Sequence, residues 1–333
     1  MENPQSYKQG KIHISRERYT KPINKSTLMS EDPVENSEPF IFDNNWGHWG
    51  NLPPHDRKLT TTNADGELVV PLTEEQKFTF DTNGWLMIPG LLVEDELEEM
   101  REFCYRLVND LESLPYAMRT PIAGPLERLV DHPVVVGFCN EFLAYPALAN
   151  EDHYGFRFET SFLLHRSKGM GRFSPHNGNG LWRLPGNSHI YRAIPGKGYS
   201  GLTRAVWELN PVQEEDGGTL FVNGSHKAAY KLPESIKDRS SSLWNTYSCP
   251  AGSVIFFSEA TTHSAQEWQN SEIDRIPIFN QYNSIGSRFH WWEPPMELLE
   301  TMPLKRRSLF RHAYSERANT GMETKNLFER PIG

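Results

Sequence analysis

Pro250-Ala-Gly-Ser-Val-Ile-Phe-Phe-Ser-Glu-Ala-Thr-Thr-His263 reads as a turn, an apolar run of β-branched and aromatic residues, and an imidazole placed just past the end of the run. A run that short, bounded by Pro and Gly, is a buried strand rather than a helix. Runs of the same texture recur at Phe156 to Leu164, Gly201 to Leu209, Thr219 to Val222 and Ile276 to Tyr282. Turns such as Glu215-Asp-Gly-Gly218 separate them. Many short strands punctuated by Gly, Pro, Asn and Asp predict an antiparallel β-sandwich or barrel, here spanning roughly residues 154–293.

The flanks read differently. Residues 1–70 are rich in Asn, Pro, Ser, Lys and Asp, with Phe40, Phe42, Trp46 and Trp49 as anchors, and predict an extended arm lying over the domain. Residues 71–153 predict a helical region packed on the barrel. Thr73-Glu-Glu-Gln76 is a capping-box pattern, so a helix should run to about Asp81 before Asn83-Gly84 breaks it. Trp85 to Ile88 is a brief strand, and Leu97, Met100, Cys104, Leu107 and Leu111 then recur at helical spacing. Residues 294–333 predict a capping helix, Met296 to Met302, and a charged tail. No internal repeat is present.

Composition narrows the function. The 333 residues include 34 basic and 43 acidic side chains, a net charge of −9, with no basic stripe interleaved with aromatics, so a nucleic-acid partner is not expected. No run approaches the roughly 18 apolar residues of a membrane span, and Met1 to Gly10 has no apolar signal core, so the expected location is cytoplasmic. Cys104, Cys139 and Cys249 lack the close spacing of a disulfide framework or thiolate site and read as buried thiols.

Ser174-Pro-His-Asn-Gly-Asn-Gly180 supplies a second imidazole, in a Gly/Asn-rich turn. Two histidines held by facing strands, His176 and His263, suggest a non-haem iron site, which ordinarily takes two His and one carboxylate on one face of the metal. In the common His-x-Asp arrangement the carboxylate comes two residues after the first histidine. Here Gly178 occupies that place. Glu259, just past the apolar run, is a candidate to supply the carboxylate from another direction, against the plainer reading of a residue facing solvent or bonding a backbone amide.

Taken together, Phe80-Asp-Thr-Asn-Gly-Trp-Leu-Met-Ile-Pro-Gly-Leu-Leu92, Glu215-Asp-Gly-Gly-Thr-Leu-Phe-Val-Asn-Gly-Ser-His226, Gly252-Ser-Val-Ile-Phe-Phe257, His263 and Arg275 resemble the phytanoyl-CoA dioxygenase (PhyH) family. The resemblance implies a mainly β fold with helical additions, a double-stranded β-helix of the jelly-roll or cupin-like kind. It also implies Fe(II), 2-oxoglutarate and O2 as cofactors, with His176 and His263 as iron ligands and Arg275 as the clamp on the far carboxylate of 2-oxoglutarate. A guanidinium is a permanently charged planar fork that fits a carboxylate in a bidentate manner. The implied activity is oxidation of a small-molecule substrate by hydrogen abstraction, ending in hydroxylation, desaturation or cyclisation. Gly178 departs from the family pattern and resembles His-x-Gly halogenases, in which chloride or bromide fills the opened position. A barrel kept as a non-catalytic binding module is the third alternative.

The remaining polar residues have plainer readings. His165, His226 and the His290-Trp-Trp-Glu293 group read as scaffold and packing rather than ligands. Trp182, Arg183, Arg192 and Arg204 follow the first candidate ligand and could hold an anionic or aromatic substrate, with surface salt pairing as the alternative.

Overall fold

In the computed structural model, residues 59–178 and 189–313 are described. They fall within one unit, Asn45–Gly333. The anchors Phe40, Phe42, Trp46 and Trp49, together with Trp182 and Arg183, lie outside the described residues.

The first helix forms where its cap predicts. In α1 (Glu74–Asn83) the Thr73 hydroxyl accepts from Gln76 N at 3.2 Å and the Gln76 side chain accepts from Thr73 N at 2.9 Å. These satisfy two amides that the first turn would otherwise leave unpaired. Gly84 ends the helix with φ 81, and its N–H donates to Phe80 O at 2.8 Å. Glycine is required there twice over: the left-handed φ favours it, and a Cβ would meet Thr261 Oγ1 at 2.4 Å and His226 Nδ1 at 2.5 Å.

Strand β1 (Trp85–Ile88) follows at once, then α2 (Glu94–Asn109), which buries Leu97, Met100, Phe103 and Cys104 on one face. Leu111, expected on that helix, lies beyond its end and is exposed, because the chain leaves helical geometry at Asp110. Helix α3 (Pro133–Phe142) falls within the region expected to be helical, although no sequence signal had singled it out. Its Val134-Val-Val136 run has strand texture, but Pro at its start and burial on all sides make it a core helix. Residues 59–70 pass over it so closely that a Cβ on Gly137 would stand 1.8 Å from Val70 O.

The ten strands among the described residues follow the antiparallel pattern. β2 (Phe156–Leu163), β5 (Thr203–Glu208), β8 (Ser253–Ser258) and β10 (Pro277–Ser284) correspond to expected runs and join β1 in a five-stranded sheet ordered β1-β8-β5-β10-β2. The sheet thus also takes in β1, from the stretch read as the helical region. β6 (Leu220–Val222), β7 (Trp244–Asn245) and β9 (His263–Ser264) form a three-stranded sheet ordered β7-β6-β9. A hairpin, β3 (Tyr191–Ile194) and β4 (Lys197–Ser200), turns at Gly196 (φ 85) and had no counterpart in the sequence reading.

Strand alternation divides the large sheet into two faces. Leu86, Ile88, Ala205, Trp207, Val254, Phe256, Ile278 and Tyr282 meet the helices, with Phe138 of α3 stacked on Phe256 at 4.1 Å. Val206, Ile255, Phe257 and Phe279 turn the other way, against Phe221, Tyr247 and Trp268. Each large side chain so buried contributes about 1.5–3 kcal/mol of transfer free energy. The result is the mainly β, jelly-roll type of architecture, with helices covering one face of its larger sheet and polar residues interrupting the interior of the other.

After β10, α4 (Met296–Thr301) and α5 (Leu304–Arg307) return to the helical side. There the buried Arg306 bonds Asp131, Glu127 and Asp65, tying the end of the described chain to its beginning. No described helix is long and apolar enough to cross a membrane. Cys104, Cys139 and Cys249 are buried and free, as expected.

Candidate active site

The two histidines singled out in the sequence are brought together by their own backbones. His176 N donates to His263 O and His263 N to His176 O, both at 3.1 Å, an isolated antiparallel bridge off the end of β9. The ring centroids are 4.2 Å apart with planes inclined at 60°. His263 Nδ1 lies 2.8 Å from Thr261 O, and His176 Nδ1 lies 2.7 Å from Ser174 O. A carbonyl oxygen only accepts, so each Nδ1 carries a proton, and in the neutral ring Nε2 is left with its lone pair. That is the tautomer a metal-binding imidazole needs. Burial drives the pKa of His263 down to about 3, over the opposing pull of Glu259, so this ring is neutral at neutral pH. His176 is exposed, which places one imidazole at the opening and one inside.

The turn after His176 is shaped by two successive positive φ angles, 62° at Asn177 and 109° at Gly178. The second strongly favours glycine, so an Asp at position 178 would be strained in this turn as it is built. No three His, Cys, Asp or Glu residues among those described are grouped closely enough to hold an ion.

Glu259 does not face solvent. It is 2% exposed, and it bonds side chains rather than a backbone amide. Arg204 Nε and Gln281 Nε2 donate to Oε1, the latter at 3.0 Å, and Asn177 Nδ2 donates to Oε2. The same Oε2 stands 4.0 Å from Nε2 of His263 and 4.0 Å from Nε2 of His189. Burial alone would raise its pKa, but the charge and hydrogen bond of Arg204, with the nearby His263 and His189, together outweigh that and hold it at about 2. Arg204 in turn lies over the Phe162, Phe257 and Phe279 rings at 5.0, 5.9 and 5.7 Å. Surface salt pairing, the plain alternative for Arg204, is therefore replaced by a pair inside the site.

Arg275 lies deeper, at 1% exposure. Its Nε donates to both Glu208 oxygens at 3.1 and 3.3 Å, and Nη2 donates to Glu208 Oε1 at 2.5 Å, Tyr247 OH at 3.0 Å and Thr219 Oγ1 at 3.2 Å. Nη1 carries no bond among the described residues. The neighbouring Arg166, bridged to Arg275 through both backbones, adds a second cation. Burial, then the charge of Arg275, lowers the pKa of Arg166. Two guanidiniums against one glutamate leave this end of the interior net positive, which suits a carboxylate.

Other expected residues fall away from the centre. His165 pairs with Asp274 at 2.8 Å, and His226 is buried with Nε2 at 2.9 Å from Asp81 O. His290 packs against Phe289, and Arg192 lies on β3. Sequence reading missed His189, Asn177, Gln281, Glu208, Thr219 and Tyr247. One signal was available for Glu208, since strand alternation puts it on the same face of β5 as Arg204. Asn177 adjoins His176 in the chain; for the rest, only the tertiary fold makes them neighbours.

A jelly roll with paired, correctly tautomeric histidines at one place and a buried arginine at another has the form of the iron- and 2-oxoglutarate-dependent oxygenases. Residues 80–276 match the phytanoyl-CoA dioxygenase (PhyH) family, and the chain belongs to that family and to its non-haem iron, 2-oxoglutarate-dependent enzymes. HygX from Streptomyces hygroscopicus with nickel and 2-oxoglutarate bound is 26% identical, with a TM-score of 0.53 over 67% of this chain and 90% of HygX. HygX with iron bound gives 26%, 0.52 and the same coverage. HygX with nickel, 2-oxoglutarate and hygromycin B, at 24% identity and a TM-score of 0.51, covering 67% of this chain and 90% of that one, shares the fold. No curated protein matches the chain in sequence. The donors fit iron as a two-histidine set, since both rings are held by Nδ1 and leave Nε2 as the available donor.

Proposed function

We propose that this chain is an Fe(II)- and 2-oxoglutarate-dependent oxidoreductase that removes hydrogen from a small-molecule substrate, in a hydroxylation, desaturation or cyclisation. The observation that carries the reading is the histidine pair, with both Nδ1 atoms tied to carbonyls. His176 and His263 would hold the iron, and Arg275 would take the far carboxylate of 2-oxoglutarate, with Thr219 and Tyr247 orienting its guanidinium. Bound iron, with 2-oxoglutarate and O2, supplies the oxidation, in which 2-oxoglutarate leaves as succinate and carbon dioxide. The protein's own work is placement. Thr261 O and Ser174 O fix the ring orientations, Glu208 fixes the arginine, and Phe257, Phe279 and Phe162 keep water from the interior between them.

The test is an anaerobic titration of the purified protein with Fe(II) and then 2-oxoglutarate, following the weak visible charge-transfer band of the chelate. Its appearance supports the reading. A protein that takes up neither would be a binding module instead.

A second reading, halogenation with chloride or bromide at the position vacated by residue 178, draws on the glycine-favouring φ of 109° there. Products formed in the presence and absence of halide separate the two.

A further inference from the structure

Resting on the reading that His176 and His263 hold iron, we propose that Glu259 supplies, from the end of β8, the negative charge that Gly178 does not, and that this charge keeps halide out of the vacated position. The geometry has an unusual feature. His263 Nε2 is a lone-pair atom, because its Nδ1 proton goes to Thr261 O, yet it confronts a carboxylate oxygen at 4.0 Å. Two electron-rich atoms held across such a gap, too far apart to bond each other, define a space of negative potential that suits a cation.

The carboxylate is fixed in that orientation from three directions. Arg204 from β5 and Gln281 from β10 grip Oε1, and Asn177 grips Oε2. Asn177 is the residue between His176 and Gly178, so the turn that lost its carboxylate side chain holds this one by a hydrogen bond instead. Thr262 Oγ1 donates to Asn177 O at 3.1 Å and steadies the turn from the other strand. Arg204, gripping the oxygen away from His263, balances the buried charge without standing between the glutamate and the histidine.

A halide beside the histidine pair would meet this fixed anion. In this role Glu259 sets the charge beside the histidine pair. The inference separates the two readings of Gly178: an open position bordered by an anion is not a halide site.

The experiment uses the full-length protein loaded with Co(II), whose visible spectrum reports the surroundings of the metal without turnover. Chloride and bromide are titrated into wild type, Glu259→Gln, and the double variant Glu259→Gln with Arg204→Gln. The double variant removes both charges together and keeps the fold testable if the single change strands Arg204. Wild type should show no halide-dependent shift. The Glu259→Gln protein should gain one, with halide affinity rising at least about tenfold, the low end of what a full charge at such a separation is worth in a partly screened interior. The double variant should also gain a response. A wild-type shift with unchanged affinity in the variants overturns the inference. Failure of wild type to take up Co(II) would overturn the parent reading as well, a different result from metal uptake with halide binding.

Discussion

Replacing Arg275 with leucine separates two roles of one buried guanidinium. Arg275 and Glu208 are 1% and 0% exposed, joined by Nη2 to Oε1 at 2.5 Å and by Nε to both oxygens. After the substitution Glu208 keeps the Tyr247 hydroxyl, at 2.7 Å, and loses its countercharge. Stranding a buried carboxylate in this way costs about 3–5 kcal/mol of stability. The double variant Glu208→Gln with Arg275→Leu should recover most of that, because no charge is left unpaired. Neither protein should recover co-substrate binding. Losing a charge-assisted fork costs about 1.5–3 kcal/mol, or roughly 10- to 150-fold in Kd. Calorimetric titration of 2-oxoglutarate into anaerobic Co(II)-loaded protein, beside a urea unfolding curve, reads both quantities. Metal uptake should be unchanged. A stable double variant that binds 2-oxoglutarate as tightly as wild type would refute the clamp, and Arg166 would be the cation to examine next.

Further expectations follow from the same structure. His263→Ala should abolish Co(II) or Fe(II) uptake in an anaerobic titration, and near-normal uptake would mean that the histidine pair is not the metal site. Thr73→Ala should cost about 1 kcal/mol by opening the capping box, seen as a lower urea midpoint with an unchanged slope. Gly84→Ala should cost about 2–4 kcal/mol, combining a left-handed φ with contacts against Thr261 and His226; a loss below half a kcal/mol would contradict the close approach. Burial holds the His226 pKa at about 4, below its ordinary 6.5. The unfolded chain therefore binds this proton more readily, and stability falls as pH drops from about 6.5 to about 4, by roughly 3 kcal/mol in all. In His226→Gln that part of the acid-side slope should vanish.

Local signals were legible because local chemistry decides them. Thr73 and Gln76 satisfy amides within their own turn, and the run at 253–258 is apolar enough to be a strand in any sheet. His263 was found just past the run at 253–258, His176 in its Gly/Asn-rich turn, and Arg275 through the family resemblance. Competing signals hid other features: Val134-Val-Val136 has the composition of a strand and folds as a helix because every side of it is covered. The environment of Glu259 was hidden for another reason. Its partners Asn177, Arg204 and Gln281 come from three distant segments, and no periodicity in the chain announces that they converge. The glutamate itself was visible as a candidate, but whether it faced water or metal depended on those partners.

The outermost strand of the large sheet carries a consequence for biosynthesis. β1 pairs along its whole length with β8, Trp85 against Phe257 through Ile88 against Val254, so the two partners leave the ribosome far apart in time. Until β8 emerges, Leu86 and Ile88 have no sheet to join and remain exposed apolar side chains on a growing chain. Synthesis at about 5–20 residues per second makes that interval many seconds long, time enough for a chaperone to bind or for neighbouring nascent chains to associate. A pause or truncation before residue 253 would leave a polypeptide that carries the amino-terminal edge of the sheet and nothing to lay it against, and quality control would meet the enzyme in that state.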